Sequence, residues 1–368
     1  MLVPIVLRGA RMLGVLLAVS VLSFLIVDFI PGDPAAAVLG SSATPEQIAQ
    51  LHAEMGLDRP PVTRYVEWLA GVVTGDFGMT LIRPIEPVVD VVGAALPVTV
   101  ELTVLAMLLS LVVGVPLGAW AAARSGTRTD TAITLSAFAA LAIPVFVMGV
   151  IVIRLFVFLP DVVASGAMIV GGLGSALLVI GALRRRVPVP AGGWALRLLP
   201  AAVGILVFLT APEFPRQGWV RLSDGWAANL QSAFLPALTL ALGIIPVFIQ
   251  LLRVDMAQTL QQDFILIARA KGLSEQHVVV REALRPSLFS LVTVAGLVTG
   301  GLLGGSVVVE TMFGLPGLGR VIVQAIQAKN YPVVQVGVLV VAAIFLAINV
   351  VVDIAYHLLE PRIRRAHH

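Results

Sequence analysis

The chain has 368 residues, 58% of them hydrophobic and only 12% charged, with a mean hydropathy of +1.00. Soluble domains carry about 25% charged residues, so this balance excludes a soluble globular protein and points to a polytopic membrane protein. The pI near 9.8 says little about nucleic acid, because the basic residues stand in short loops between apolar runs, and the lack of cysteine excludes disulfide frameworks and thiolate metal sites.

The first apolar run covers residues 12–30 and follows Arg8 and Arg11. It is too long for a signal peptide, and Pro31-Gly32-Asp33-Pro34 follows without a small-residue cleavage site, so it reads as an uncleaved span with its N-terminus inside. Residues 31–96 read as an external segment with its own structure. Thr44-Pro45-Glu46-Gln47 has the pattern of a capping box, and Gly56 closes the helix that it opens. Residues 61–73 predict a second helix, with Tyr65 and Trp68 suited to a membrane interface. Gly75-Asp76-Phe77-Gly78 reads as a turn. A segment this structured reads as an external docking surface, with Asp33, Asp58, Arg59 and Asp76 as its charged candidates.

The second span is expected over 98–122, with Arg124 and Arg128 following on the inside. Glu101 near its outer end either snorkels to the interface or lines a pathway. The third span is expected over 132–158, kinked at Pro144, with Arg154 near its outer end. Two further runs, 162–183 and 194–210, flank Arg184-Arg185-Arg186. Three arginines in a short loop mark the cytoplasmic side, so the pair reads as a hairpin that dips in and returns. Residues 211–230 are external, with Trp219 and Trp226 as interfacial anchors, and a span over 232–252 follows.

Residues 263–286 then form the longest polar interruption of the C-terminal half. They read as two short helices meeting at Gly272. Asp263 is placed to cap the first, over 264–271, and Gly272 to close it. Ser274 caps the second, with Leu273 and Val278 at the spacing of a hydrophobic staple, and Pro286 starts the next apolar run. Arg269, Lys271, Arg281 and Arg285 make this elbow basic, while Phe264, Ile265, Ile267, Val279 and Leu284 can hold it against something apolar. A basic amphipathic elbow between two spans belongs on the cytoplasmic surface, as a handle for a soluble partner.

Beyond it, a span over 288–309 carries Gly300-Gly301 and Gly304-Gly305-Ser306, suited to close helix packing. The external loop 310–332 holds Phe313-Gly314-Leu315-Pro316-Gly317-Leu318-Gly319. Neither its spacing nor its context fits a dinucleotide fingerprint. The last span, 333–358, ends at Arg362, Arg364 and Arg365. Eight spans result, with both termini inside. Sixteen of the 24 basic residues then fall inside and eight outside, which follows the positive-inside rule.

The elbow resembles the cytoplasmic coupling loop of ABC importer permeases. Aligned on Gly272, the second alanine of that family's pattern falls on Ala268, while Leu266 and Ile267 replace its Glu and first Ala. Leu284 holds the terminal leucine position, and proline comes one place late at Pro286. The form Ala268-Arg269-Ala270-Lys271-Gly272-Leu273-Ser274 is typical of the dipeptide, oligopeptide and nickel branch. Four other blocks resemble that branch in the same order: Ile30-Pro31-Gly32-Asp33-Pro34, residues 56–78, residues 96–102 and residues 310–335. The departure is the region 160–215, where the family usually has a short external loop.

The resemblance implies an all-α type I ABC importer fold of six core spans plus the inserted hairpin. It would comprise an N-terminal span (1–30), an external segment (31–96), a transmembrane domain (97–358) with its insert, and the coupling loop (263–286) carrying Asp263 and the 268–274 run. Glu101 and Glu310 are candidates for a pathway or gate. The implied partners are a second permease subunit, two ATPase subunits holding ATP and magnesium, an external solute-binding protein and membrane lipid, but no nucleic acid. The chain itself has no Walker A phosphate loop, no HExxH and no GxSxG, so catalysis is not expected of it. The other reading is a secondary transporter driven by an ion gradient. Against it, no internal repeat is visible and Asp28, Glu101, Arg154 and Asp353 fall towards span ends. A scaffold without transport activity also remains open on the residues alone.

Overall fold

The computed structural model of the chain describes residues 2–29, 33–39, 43–54, 56–184, 202, 205 and 213–359. Every regular element among them is helical, and an isolated bridge joins Met79 to Pro87. In chain order the helices are α1 (Leu2–Phe29), α2 (Pro34–Leu39), α3 (Pro45–Glu54), α4 (Pro61–Thr74), α5 (Val88–Ala123) and α6 (Arg128–Leu141). They continue with α7 (Val145–Ile153), extended by a π turn to Phe158, α8 (Pro160–Arg184), α9 (Trp226–Thr259) and α10 (Asp263–Ala270). The last three are α11 (Glu275–Met312), α12 (Leu318–Gln327) and α13 (Tyr331–Leu359).

Four of these are long and apolar enough to cross a membrane: α5, α9, α11 and, over Tyr331–Val352, α13. At 1.5 Å per residue, α5 is about 54 Å long against a hydrocarbon layer of about 30 Å. It begins ten residues before the expected start of the second span, with Pro97 inside it. Tertiary contact carries the helix through this proline. Val88, Val92 and Ala95 are buried against Leu318, Ala325, Tyr331 and Val333 of α12 and α13.

Helix α9 is the hub and packs on α5, α6, α7 and α11. Its approach to α5 depends on glycine. A Cβ on Gly114 would stand 2.9 Å from the Cβ of Phe248, and one on Gly118 would stand 3.0 Å from the carbonyl oxygen of Ile249. Leu102, Ala106, Leu240, Ile244 and Phe248 fill the resulting core. In α11, Gly300 makes room for Phe345 of α13, whereas Gly301, Gly304 and Gly305 face open space. The glycine-rich stretch therefore serves close packing on one face only.

The third span is not a kinked rod. Helices α6 and α7 are bent 101° apart at Ala142–Pro144. Proline drives the preceding residue out of the α region, and Pro144 itself sits at ψ 144° as the cap of α7. The two halves also pack differently, α6 on α5 and α9, α7 on α9 and α11. Where the hairpin is expected, α8 covers the first run, 162–183. Arg185, Arg186 and the second run 194–210 lie outside the described residues, apart from positions 202 and 205. So do Ile30-Pro31-Gly32 and the terminal Arg362, Arg364 and Arg365.

Candidate functional site

The elbow is formed by α10 and the first turns of α11. Helix α10 starts one residue earlier than expected. Gln262 occupies its cap position without a side-chain bond, and Asp263 is its first helical residue, where a negative charge still suits the helix dipole. Its other end is as the sequence predicts. Gly272 has φ +77°, its N–H donates to the Arg269 carbonyl at 2.9 Å, and the Leu273 N–H donates to that of Ala268 at 3.3 Å. These two bonds define a Schellman motif. Ser274 then caps α11, its hydroxyl accepting from the His277 N–H at 3.3 Å.

The second half of the elbow is not a separate helix. It runs on into α11 through a π turn at Val278–Ala283. Pro286, three residues on, has no N–H to give and a ring that clashes with the carbonyl four residues back. Slipping the ladder by one residue before it accommodates both.

The apolar residues divide differently from the expectation. Ile265, Ala268, Val278 and Ala283 are buried against Ala122 of α5 and Leu252 and Met256 of α9, with Val279 and Leu284 partly covered beside them. Phe264 is 40%, Leu266 58% and Ile267 55% exposed. Helix α10 thus turns one small apolar face to the bundle and leaves a larger one bare. Arg269 reaches back across Gly272 to Glu275, with Nε–Oε1 at 3.0 Å, so it braces the elbow as well as charging it. Ala270 and Lys271 are exposed.

An ion pair with a buried carboxylate stands just behind the elbow. Asp130, at the start of α6, accepts from Nε and Nη2 of Arg253 on α9, the second at 2.8 Å, and from the Gly126 N–H at 2.9 Å. It ties the α5–α6 turn to the last stretch of α9 before α10. Nothing in the local pattern marks this pair, because the two residues are 123 positions apart.

At the opposite end of the bundle Glu310 is fully buried. Its Oε1 accepts from the hydroxyls of Thr99 at 2.7 Å and Ser306 at 2.9 Å, and its Oε2 from the Arg320 N–H at 2.9 Å. Thr99 in turn accepts from the Leu318 N–H at 2.8 Å. The carboxylate therefore sits at the N-terminus of α12, where free N–H groups favour negative charge. A Cβ on Gly317 would fall 2.3 Å from the Glu310 Cδ and one on Gly319 2.5 Å from Val307. These glycines let the backbone close over a carboxylate. Glu101, the other pathway candidate, lines a cavity of about 810 Å³ together with Glu86, Asp90, Trp219 and Arg221.

The four external candidates do not form one cluster. Asp33 and Asp58 both meet His52 of α3, at 2.7 and 3.8 Å. Burial pushes the Asp33 carboxyl up, but the His52 hydrogen bond and the N–H groups of Ala35 and Ala36 outweigh it and hold the group below its ordinary range. Arg59 pairs with Glu67 of α4 at 3.0 Å, and Asp76 accepts from the Gly78 N–H at 3.0 Å within its turn. Thr44 and Gln47 complete their capping box, through bonds of 2.9 and 3.3 Å. Among the described residues no group of His, Asp and Glu could hold a metal ion.

Residues 114–365 match the family described as binding-protein-dependent transport system inner membrane component, and residues 1–103 match its N-terminal companion. A protein of Brucella abortus (strain 2308) described as a peptide transport system permease is 35% identical over 357 residues, 97% of each chain. The dipeptide transport system permease protein DppB of Escherichia coli K12 is 32% identical over 356 residues, covering 95% of this chain and 94% of its own. With nearly the whole chain matched and the long apolar helices in place, this multi-pass membrane protein belongs to the family of inner-membrane permease components of binding-protein-dependent ABC importers.

Proposed function

We propose that the chain forms half of the translocation pathway of an ATP-driven importer of peptides or similar small solutes, and that the elbow is where ATP hydrolysis on partner subunits is felt. The observation that carries this reading is the bare apolar face of α10. Phe264, Leu266 and Ile267 are exposed on a helix whose opposite face is anchored, at the edge of a basic surface. An exposed apolar patch rimmed by charge is what a docking surface for a soluble protein requires. The rest of the assembly follows from the family. A second permease subunit would complete the pathway, two ATPase subunits would hold ATP and magnesium, and an external binding protein would deliver the solute. Peptides are favoured because relatives over the full length are named as peptide permeases.

In this reading α1, α5, the broken α6–α7 pair, α9, α11 and α13 are the six core spans. The segment 160–215 adds a hairpin, and both termini and the elbow are cytoplasmic. Glu101 and Glu310 stand at the outer end, the first lining a vestibule and the second holding α12 against α5. Asp33, Asp58, Arg59 and Asp76 belong to the outer segment, where the binding protein would approach.

The test is co-purification of the permease with its ATPase subunits, with ATP-dependent uptake measured in the same vesicles. Ile267→Glu should leave the permease inserted and monodisperse but abolish both attachment and uptake. Normal attachment of this variant would remove α10 as the docking surface. Uptake that persists without the ATPases, driven by an ion gradient, would favour a secondary transporter instead.

A further inference from the structure

Helix α4 has a face that none of the described residues covers, and its neighbour fixes the depth at which that face lies. One flank of α4 is pinned to α1. The hydroxyls of Tyr65 and Ser20 share a hydrogen bond of 2.8 Å. The Phe24 ring meets Tyr65 edge-on, with centroids 5.5 Å apart, and meets Trp68 at 6.2 Å. The Arg64 guanidinium lies 5.5 Å above the same ring.

These contacts fall well below the end of α1. Ser20 and Phe24 both belong to the apolar stretch Gly9–Leu25, and Asp28 is the first charged residue after Arg11. At 1.5 Å per residue Ser20 stands about 14 Å, and Phe24 about 8 Å, short of Phe29. A helix that reaches those two residues through tyrosine and tryptophan rings lies alongside the apolar part of a membrane helix, at the depth of the interfacial aromatic belt. An arginine over an aromatic ring is also at home there, its stem in apolar surroundings and its head towards the polar layer.

On α4 the residues Val62, Val66 and Val73 recur four and seven apart and so share one helix face. They are 74%, 57% and 80% exposed. The polar edge of the helix, with Thr63 and the Arg59–Glu67 pair at 3.0 Å, lies about a third of a turn away. Near that depth α1 exposes Leu22 and Leu25, and deeper along the helix Leu13 and Leu17, residues that in a multi-pass membrane protein meet acyl chains.

We propose that α4 is an in-plane anchoring helix, set into the leaflet on the side away from the elbow, with Val62, Val66 and Val73 among phospholipid acyl chains. Its occupant is lipid and not a soluble protein, so the outer segment presents its α2–α3 part, and not α4, to aqueous partners. Embedding of this kind would fix the tilt of α1 and the height at which the outer segment stands.

The chain contains no cysteine, so single cysteines can be placed at Val66, Val73 and Thr63 without background. Each variant, assembled with its partner subunits in phosphatidylcholine nanodiscs, would carry an environment-sensitive fluorophore. Probes at 66 and 73 should emit to the blue and be quenched more by doxyl-labelled phosphatidylcholine than by aqueous iodide. The order should reverse at 63. Iodide quenching at 66 and 73 matching that at 63 would overturn the proposal by placing α4 in water. Shielding from both quenchers, or shielding that appears only when binding protein is added, would overturn it by making the face a protein interface.

Discussion

Gly272 and Glu310 each fix one end of the molecule through a single local requirement. At Gly272 an added Cβ would meet nothing within 4 Å, so the positive φ of +77° is the whole constraint. A β-branched residue in that conformation costs about 1–2 kcal/mol, too little to unfold the bundle and enough to re-aim α10. Gly272→Val should therefore insert normally, lose ATPase attachment on co-purification and lose uptake, while Gly272→Asn, which tolerates the left-handed region, should retain much of both. Glu310 presents the opposite case, a side chain surrounded by donors. Glu310→Gln puts an N–H₂ where one oxygen now accepts, so a donor faces a donor in a dry site. Such a buried mismatch costs about 1–3 kcal/mol. The expected result is a lower unfolding temperature in detergent, with a larger drop for Glu310→Ala.

Among the elements, the α5–α9 crossing and the α6–α9 clamp decide whether the elbow has a firm base. Gly118 has no spare room, with Ile249 and Leu252 both within 3.3 Å of its added Cβ. Overpacking a filled contact costs about 1–3 kcal/mol, so Gly118→Leu should destabilise the permease in thermal unfolding and loosen α9 above the elbow. The Asp130–Arg253 pair acts on the same helix from another side. Its carboxylate is buried while the guanidinium is 28% exposed. Removing the carboxylate therefore leaves a charge that water can partly solvate, at less than the roughly 3 kcal/mol of a fully buried pair. Asp130→Asn should lower the unfolding temperature and reduce uptake. Neutralising the exposed Arg269–Glu275 brace should shift that temperature little, because surface pairs contribute at most about 1 kcal/mol.

For the whole molecule the decisive quantity is orientation. The elbow and the turn after α5 lie at one end of α9, while α12 and residues 213–224 lie at the other. In intact cells a membrane-impermeant maleimide should label a cysteine at Ser223 and spare one at Leu266. Inverted vesicles should give the reverse. Labelling of Leu266→Cys from outside would reverse the orientation and with it the docking role of α10.

Composition alone determined that the chain lives in a membrane, because no soluble fold can leave so few charges on its surface. Cap chemistry was equally legible. Thr44, Gly272 and Ser274 act through neighbours three to five residues away, so their bonds follow from local spacing. The long-range pairs were not legible. Glu310 with Thr99, Asp130 with Arg253 and Tyr65 with Ser20 join residues 211, 123 and 45 positions apart, and only the packed bundle brings them together. Prolines were the least reliable guide. Pro286 reads as the start of a helix yet lies inside α11, and Pro97 lies inside α5, whereas at Pro144 α6 and α7 stand 101° apart. A proline removes the same bond each time. Whether the helix continues depends on what the surrounding side chains hold in place, and that is decided by tertiary structure.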